Sequence, residues 1–159
     1  MSEIRVKVAD LAVSKGDDVI ATIGLGSCVA IMLYDRAAKI GGLAHILLPS
    51  EGLSRDRSNV AKFPASAVPV MVAEMKRLGS KGPLTAKIVG GASMFAALLP
   101  SGGINMGERN IEATRSVLER NALPIVGEDV GGEYRRSVYF DLATGKVLVK
   151  SLKAGNREL

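Results

Sequence analysis

The longest unbroken apolar run in this chain covers only residues 28–34, closed in by a glycine-rich turn on one side and by Asp35 and Arg36 on the other. A helix crossing a bilayer needs roughly 20 apolar residues, so a run this short, carrying Val and Ile, reads as a strand. Three similar segments, 5–9, 19–23 and 40–47, are rich in β-branched residues and separated by Gly or charged turns, which predicts a strand-rich N-terminal third. Aromatic residues make up only 4% of the chain and Trp is absent, so the core must be built from Val, Ile, Leu, Ala and Met. The 159 residues fit one domain with a real core, and no repeat, low-complexity tract or Pro-rich linker marks an internal boundary over 1–159.

Further along, the pattern changes period. Val68, Val72 and Met75, with Met71 and Leu78 beside them, recur at helical spacing over 64–78. Pro64 suits a first helical turn and Gly79 its end. A strand at 86–89 runs into Gly90-Gly91, and a second helix at about 107–121 places Ile111, Thr114, Val117 and Leu118 on one face. A short strand at 124–126 and a hairpin, 137–141 with 146–152, complete the chain. Strands outnumber helices, so the fold class is mixed α/β with helices packed on mostly antiparallel sheets.

Charge narrows the partners. The net charge is +5, yet the basic residues are scattered and the densest patch is Arg135-Arg136, which argues for a solvated basic surface rather than nucleic-acid binding. The opening Met1-Ser2-Glu3-Ile4-Arg5-Val6 lacks the basic flank and apolar block of a secretory signal, so a cytoplasmic protein without membrane insertion is expected. One Cys and one His cannot make an ordinary structural zinc site, and neither a phosphate loop nor a dinucleotide fingerprint is present. No cofactor or metal is expected.

The densest chemical signal is Thr22-Ile23-Gly24-Leu25-Gly26-Ser27-Cys28-Val29, where the only Cys follows a glycine-rich turn. A lone Cys is ordinarily a small buried hydrophobe. Here Gly24 and Gly26 allow close backbone approach, and the N–H groups about Gly26 and Ser27 can form an oxyanion-binding turn. The only His, His45, lies in an apolar strand where an imidazole needs a partner. If residues 28–34 and 39–45 form a hairpin around 35–38, Tyr34 opposes Lys39 and Cys28 opposes His45. Directly opposed Cβ atoms are about 5 Å apart, which allows a thiolate–imidazolium pair. A slip of one residue would place the two on opposite faces. Thr22 is a candidate to orient the imidazole, the alternative being a plain strand-forming Thr.

These residues fall into blocks: Gly24-Leu25-Gly26-Ser27-Cys28-Val29, Ala44-His45 before Leu48-Pro49, and Lys87-Ile88-Val89-Gly90-Gly91-Ala92-Ser93-Met94-Phe95. Three more follow: Asn105-Met106-Gly107-Glu108-Arg109-Asn110, Glu128-Asp129-Val130-Gly131-Gly132 and Arg136-Ser137-Val138. In order and spacing they resemble the CheD family over about residues 4–152, with a longer stretch at 96–104. The resemblance implies a single-domain three-layer α/β/β sandwich and a cysteine amidohydrolase with Cys28, His45 and Thr22 as catalytic residues. It implies deamidation of glutamines on the cytoplasmic helical region of chemoreceptors through a thioester, with receptor methyl-ester cleavage as a side activity. A CheC-type phosphatase is the implied partner; the alternative is a regulatory binding module for that phosphatase, with catalysis secondary. Phe95, Arg109 and Asn110 are candidates for substrate or partner contact, their plainer roles being core packing for Phe95 and capping of the second helix for the other two.

Overall fold

Strand 28–34 has no polar alternation, and the computed structural model shows why: it is the middle strand of the middle layer. The structure describes residues 2–93 and 105–159. The strand runs Val29–Asp35 (β4) and lies between Ile40–Ile46 (β5) and Thr85–Gly90 (β6). Outside these two sit Leu11–Lys15 (β2) and Ile125–Val130 (β7), giving the order β2-β5-β4-β6-β7. A second five-stranded sheet is ordered Glu3–Arg5 (β1), Val19–Leu25 (β3), Arg136–Asp141 (β8), Val147–Ser151 (β9) and Gly155–Glu158 (β10). Pairing is antiparallel except for β1 with β3 and β6 with β7.

Alternation along β4 divides two cores. Val29, Ile31 and Leu33 face the helices Pro64–Arg77 (α1) and Met106–Arg120 (α2), packing on Met71, Met75, Val117 and Leu118. Ala30 and Met32 face the second sheet and meet Ile20, Leu25, Val138 and Phe140. Buried on both sides, the strand is apolar from Val29 to Leu33. Each fully buried Leu, Ile, Phe or Met contributes roughly 1.5–3 kcal/mol. The architecture is the expected three-layer α/β/β sandwich. Among the described residues no helix is long and apolar enough to cross a membrane.

Three expectations change. The strand expected at 5–9 stops at Arg5, because the chain turns through Val8 and Ala9, with Ala9 in the left-handed region at φ 60. β2 follows that turn; its residues are all half-buried or exposed and show no clean alternation. β10 is wholly exposed and polar, so only its ladder to β9 identifies it.

The third change is register. Asp35 pairs with Ile40 and Ala30 with His45, two residues away from the expected Cys28–His45 pair. The loop begins one residue later than expected because the Asp35 carboxylate is bound inside it and beside it, by Ala38 N–H, Gly82 N–H and the Ser80 hydroxyl. These bonds hold that carboxyl below its usual range, the Ser80 bond most of all. A two-residue shift preserves the face. Cys28, two positions before Ala30, therefore lies on the His45 side as a diagonal rather than a direct neighbour.

Candidate active site

His45 is delivered by β5 into the space between the sheets and Thr22 by β3 from the opposite sheet; each is 1% exposed. The Thr22 Oγ1 lies 2.7 Å from the Val6 carbonyl oxygen and 2.7 Å from His45 Nδ1. A hydroxyl has one proton, and a carbonyl can only accept, so the Thr22 proton goes to Val6. His45 Nδ1 must then carry a hydrogen and donate to Thr22. The other nitrogen, Nε2, keeps its lone pair; it is buried and makes no hydrogen bond among the described residues. The chain from Val6 through Thr22 thus selects the tautomer in which Nε2 can accept a proton. The backbone of His45 is held too, its N–H donating to Asp10 and its carbonyl accepting from Ala9, both at 2.9 Å.

Cys28 immediately precedes β4, half-buried at the edge of the inter-sheet core. The turn before it is anchored through three successive carbonyls. Gly26 accepts from Ala92 N–H and Cys28 from Gly91 N–H, each at 2.8 Å, while Ser27 accepts from the Asn110 side chain at 2.9 Å. Close approach of β6 requires glycine at position 90, where φ is +115 and a Cβ would lie 2.3 Å from the Cys28 carbonyl oxygen.

The resting electrostatics differ from the ion pair expected from the sequence. Burial pushes the Cys28 thiol above its ordinary value, opposed by a hydrogen bond from its own N–H. Burial also holds the His45 imidazole down to about 4. Both groups are favoured neutral at physiological pH, so His45 is available as a base. Among the described residues no group of three His, Cys, Asp or Glu side chains could hold a metal.

The remaining candidates separate. Gly26 and Ser27 form the turn before Cys28. Arg109 lines a shallow cleft with Pro49, Leu53 and Glu112. Asn110 is completely buried, so it offers no surface for contact; its amide bonds the Ser27 and Leu47 carbonyls at 2.9 and 3.2 Å. The cap of α2 is Asn105, which accepts from Glu108 N–H. Phe95 and the 96–104 stretch lie outside the described residues. Sequence reasoning missed the burial of Asn110, although Gly107, Asn110, Thr114 and Val117 follow the spacing of the inward face of α2.

Fold and site together define a class: an α/β/β sandwich with a half-buried Cys just before its central strand and, from the neighbouring strand, a buried His bonded to a Thr. A family profile described as CheD chemotactic sensory transduction matches residues 47–151, beyond all three of those side chains. Relatives extend the likeness over them. A "Probable chemoreceptor glutamine deamidase CheD" from Caldanaerobacter subterraneus subsp. tengcongensis is 43% identical over 153 residues, 96% of this chain and 94% of the relative. A protein of the same description from Clostridium botulinum (strain Hall) is 43% identical over 160 residues, covering 100% of this chain and 99% of the relative. This chain belongs to the CheD family.

Proposed function

We propose that this protein deamidates glutamine side chains on the cytoplasmic helical region of chemoreceptors, with Cys28 as nucleophile, His45 as general base and acid, and Thr22 as the group orienting His45. The observation that carries this reading is the Val6–Thr22–His45 chain, which leaves Nε2 unprotonated on the face that Cys28 shares. The names of the relatives supply the substrate class.

The chemistry follows from the neutral resting pair. As sulfur attacks the amide carbon, the thiol proton passes to His45 Nε2 and a carbon–sulfur bond forms. The Cys28 N–H, already beside the sulfur, and the Gly26–Ser27–Cys28 turn are the proposed donors to the oxyanion. Nε2–H then protonates the leaving nitrogen, and ammonia departs from a thioester. Water gives its proton to Nε2 and attacks the thioester carbon; the carbon–sulfur bond breaks, and the sulfur recovers the proton. The balance is glutamine plus water to glutamate plus ammonia. A methyl ester enters by the same steps with methanol leaving, which makes esterase activity the proposed side reaction. The cytoplasm is the proposed location and a CheC-type phosphatase the proposed partner. An intact Cys28, His45 and Thr22 favours the enzyme over a module that only binds.

Intact-mass analysis of a purified receptor cytoplasmic fragment tests the proposal. Wild type should add about one mass unit per converted glutamine, the difference between an amide and an acid, while Cys28→Ala and His45→Ala should add none. A fragment left unchanged by wild type, or changed equally by Cys28→Ala, sinks the reading.

A further inference from the structure

An amide in the core is a liability. Asn110 is 0% exposed on a helix face whose other buried residues are Gly107, Thr114, Val117 and Leu118. An unsatisfied buried polar group costs about 1–3 kcal/mol, so packing alone would favour an apolar residue here. The two atoms near its Nδ2 are both carbonyl oxygens, Ser27 O at 2.9 Å and Leu47 O at 3.2 Å. Only the NH2 end can satisfy them, which settles the orientation of the amide and commits one hydrogen to each.

Those two carbonyls bracket the catalytic pair. Ser27 immediately precedes the nucleophile, and Leu47 follows His45 by two residues. The β4–β5 ladder ends at Val29 opposite Ile46. Beyond it the strands part: the N–H groups of Leu47 and Leu48 turn to Lys62 O, and the Ser27 turn leans on β6. Two carbonyls cannot bond each other, so the Asn110 amide supplies the missing rung where Cys28 leaves the ladder.

The helix carrying Asn110 is itself wedged in place. A Cβ on Gly107 would lie 2.3 Å from Ala92 O, and Ser93 Oγ donates to Asn105 Oδ1 at 2.6 Å. Ala92 also holds Gly26. The N-terminal part of α2, the end of β6 and the nucleophile turn therefore form one packed unit, with Asn110 reaching from it to the His45 strand.

We propose that Asn110 is a positioning residue for the reaction, setting the placement of Cys28 relative to His45 Nε2 by clamping the Ser27 and Leu47 carbonyls. This inference rests on the catalytic roles proposed above. It does not require that the substrate be a receptor.

The test compares Asn110→Leu, which keeps the branching at Cγ but is bulkier and has no donors, with wild type, His45→Ala and Asn121→Ala. Asn121 sits at the other end of α2 and donates to Val117 O, so its loss removes an amide bond from the same helix away from the site. With a single Cys in the chain, iodoacetamide alkylation followed by intact mass reads Cys28 alone across pH 6–10. The rate–pH profile of Asn110→Leu should move toward that of His45→Ala, and kcat on a receptor fragment should fall about 10- to 100-fold with KM changed far less. Asn121→Ala should keep the wild-type profile even at a similar loss of Tm. A folded Asn110→Leu with wild-type alkylation and kcat overturns the proposal, as does an equal effect from Asn121→Ala. Should Asn110→Leu fail to fold, Asn110→Ser is judged by the same readouts; failure of both to fold assigns Asn110 a structural role only. The alkylation arm uses no receptor, so an inactive wild type would sink the substrate reading while Asn110 is still tested.

Discussion

A threonine hydroxyl with two neighbours and one proton decides the state of the imidazole. Because the Val6 carbonyl must receive that proton, Thr22 can serve His45 only as an acceptor. Thr22→Val preserves shape but strands the Val6 carbonyl and the Nδ1–H in the core. Stability should fall by about 1–3 kcal/mol, read from the urea midpoint. The loss of the oriented tautomer should lower kcat on a receptor fragment about 10- to 100-fold, with Thr22→Ser retaining most of the activity. An unchanged kcat in a folded Thr22→Val would remove Thr22 from the mechanism.

Among the elements, the end of β6 is where sequence and geometry are tied most closely. Its last residue, Gly90, leaves the strand at φ +115 so that Gly91 N–H and Ala92 N–H can reach the Cys28 and Gly26 carbonyls. Gly90→Ala places a methyl against the Cys28 carbonyl. The backbone conformation alone should cost about 1–3 kcal/mol. Since the clash falls on the proposed nucleophile, the deamidation rate of the folded variant should fall further than that of a surface glycine variant such as Gly16→Ala. Gly16 also has a positive φ, but a Cβ there meets nothing within 4 Å. Equal rates for the two variants would contradict this placement of β6.

At the scale of the whole molecule, burying its single His between two sheets links stability to pH. The His45 pKa is lowered from 6.5 to about 4 by burial, so between those values the unfolded chain binds the proton that the folded chain refuses. The stabilisation of the neutral form is complete above about pH 6.5 and is lost as pH falls toward about 4, a loss of roughly 3 kcal/mol. Asp35, whose pKa is lowered from 3.8 chiefly by the Ser80 bond, contributes stability that is lost only at lower pH. Urea unfolding at a series of pH values should therefore show a decline between pH 6.5 and 4 that is absent in His45→Gln. A flat profile for wild type over that range would mean that His45 is not buried in the neutral form.

Much of this was legible along the chain. The short apolar runs, the helical spacing of 64–78 and the Gly90-Gly91 break each report local preferences, and the corresponding elements formed within a few residues of expectation. Cys28 and His45 were legible because each is the only residue of its kind, and their shared face because strand alternation survives a two-residue slip. What stayed hidden depends on partners distant in sequence. The register followed from Ser80 and Gly82 closing on Asp35, 45 and 47 residues away. Thr22 was already a candidate partner for His45, but the bond between them crosses sheets that no local pattern joins, and the tautomer rests on a carbonyl at Val6. Asn110 took its place from a helix 83 residues beyond the Ser27 turn that it holds. Propensity and periodicity act over a few residues and so are written along the chain. Hydrogen-bond satisfaction in a buried site acts through space, and only the packed layers decide which groups meet.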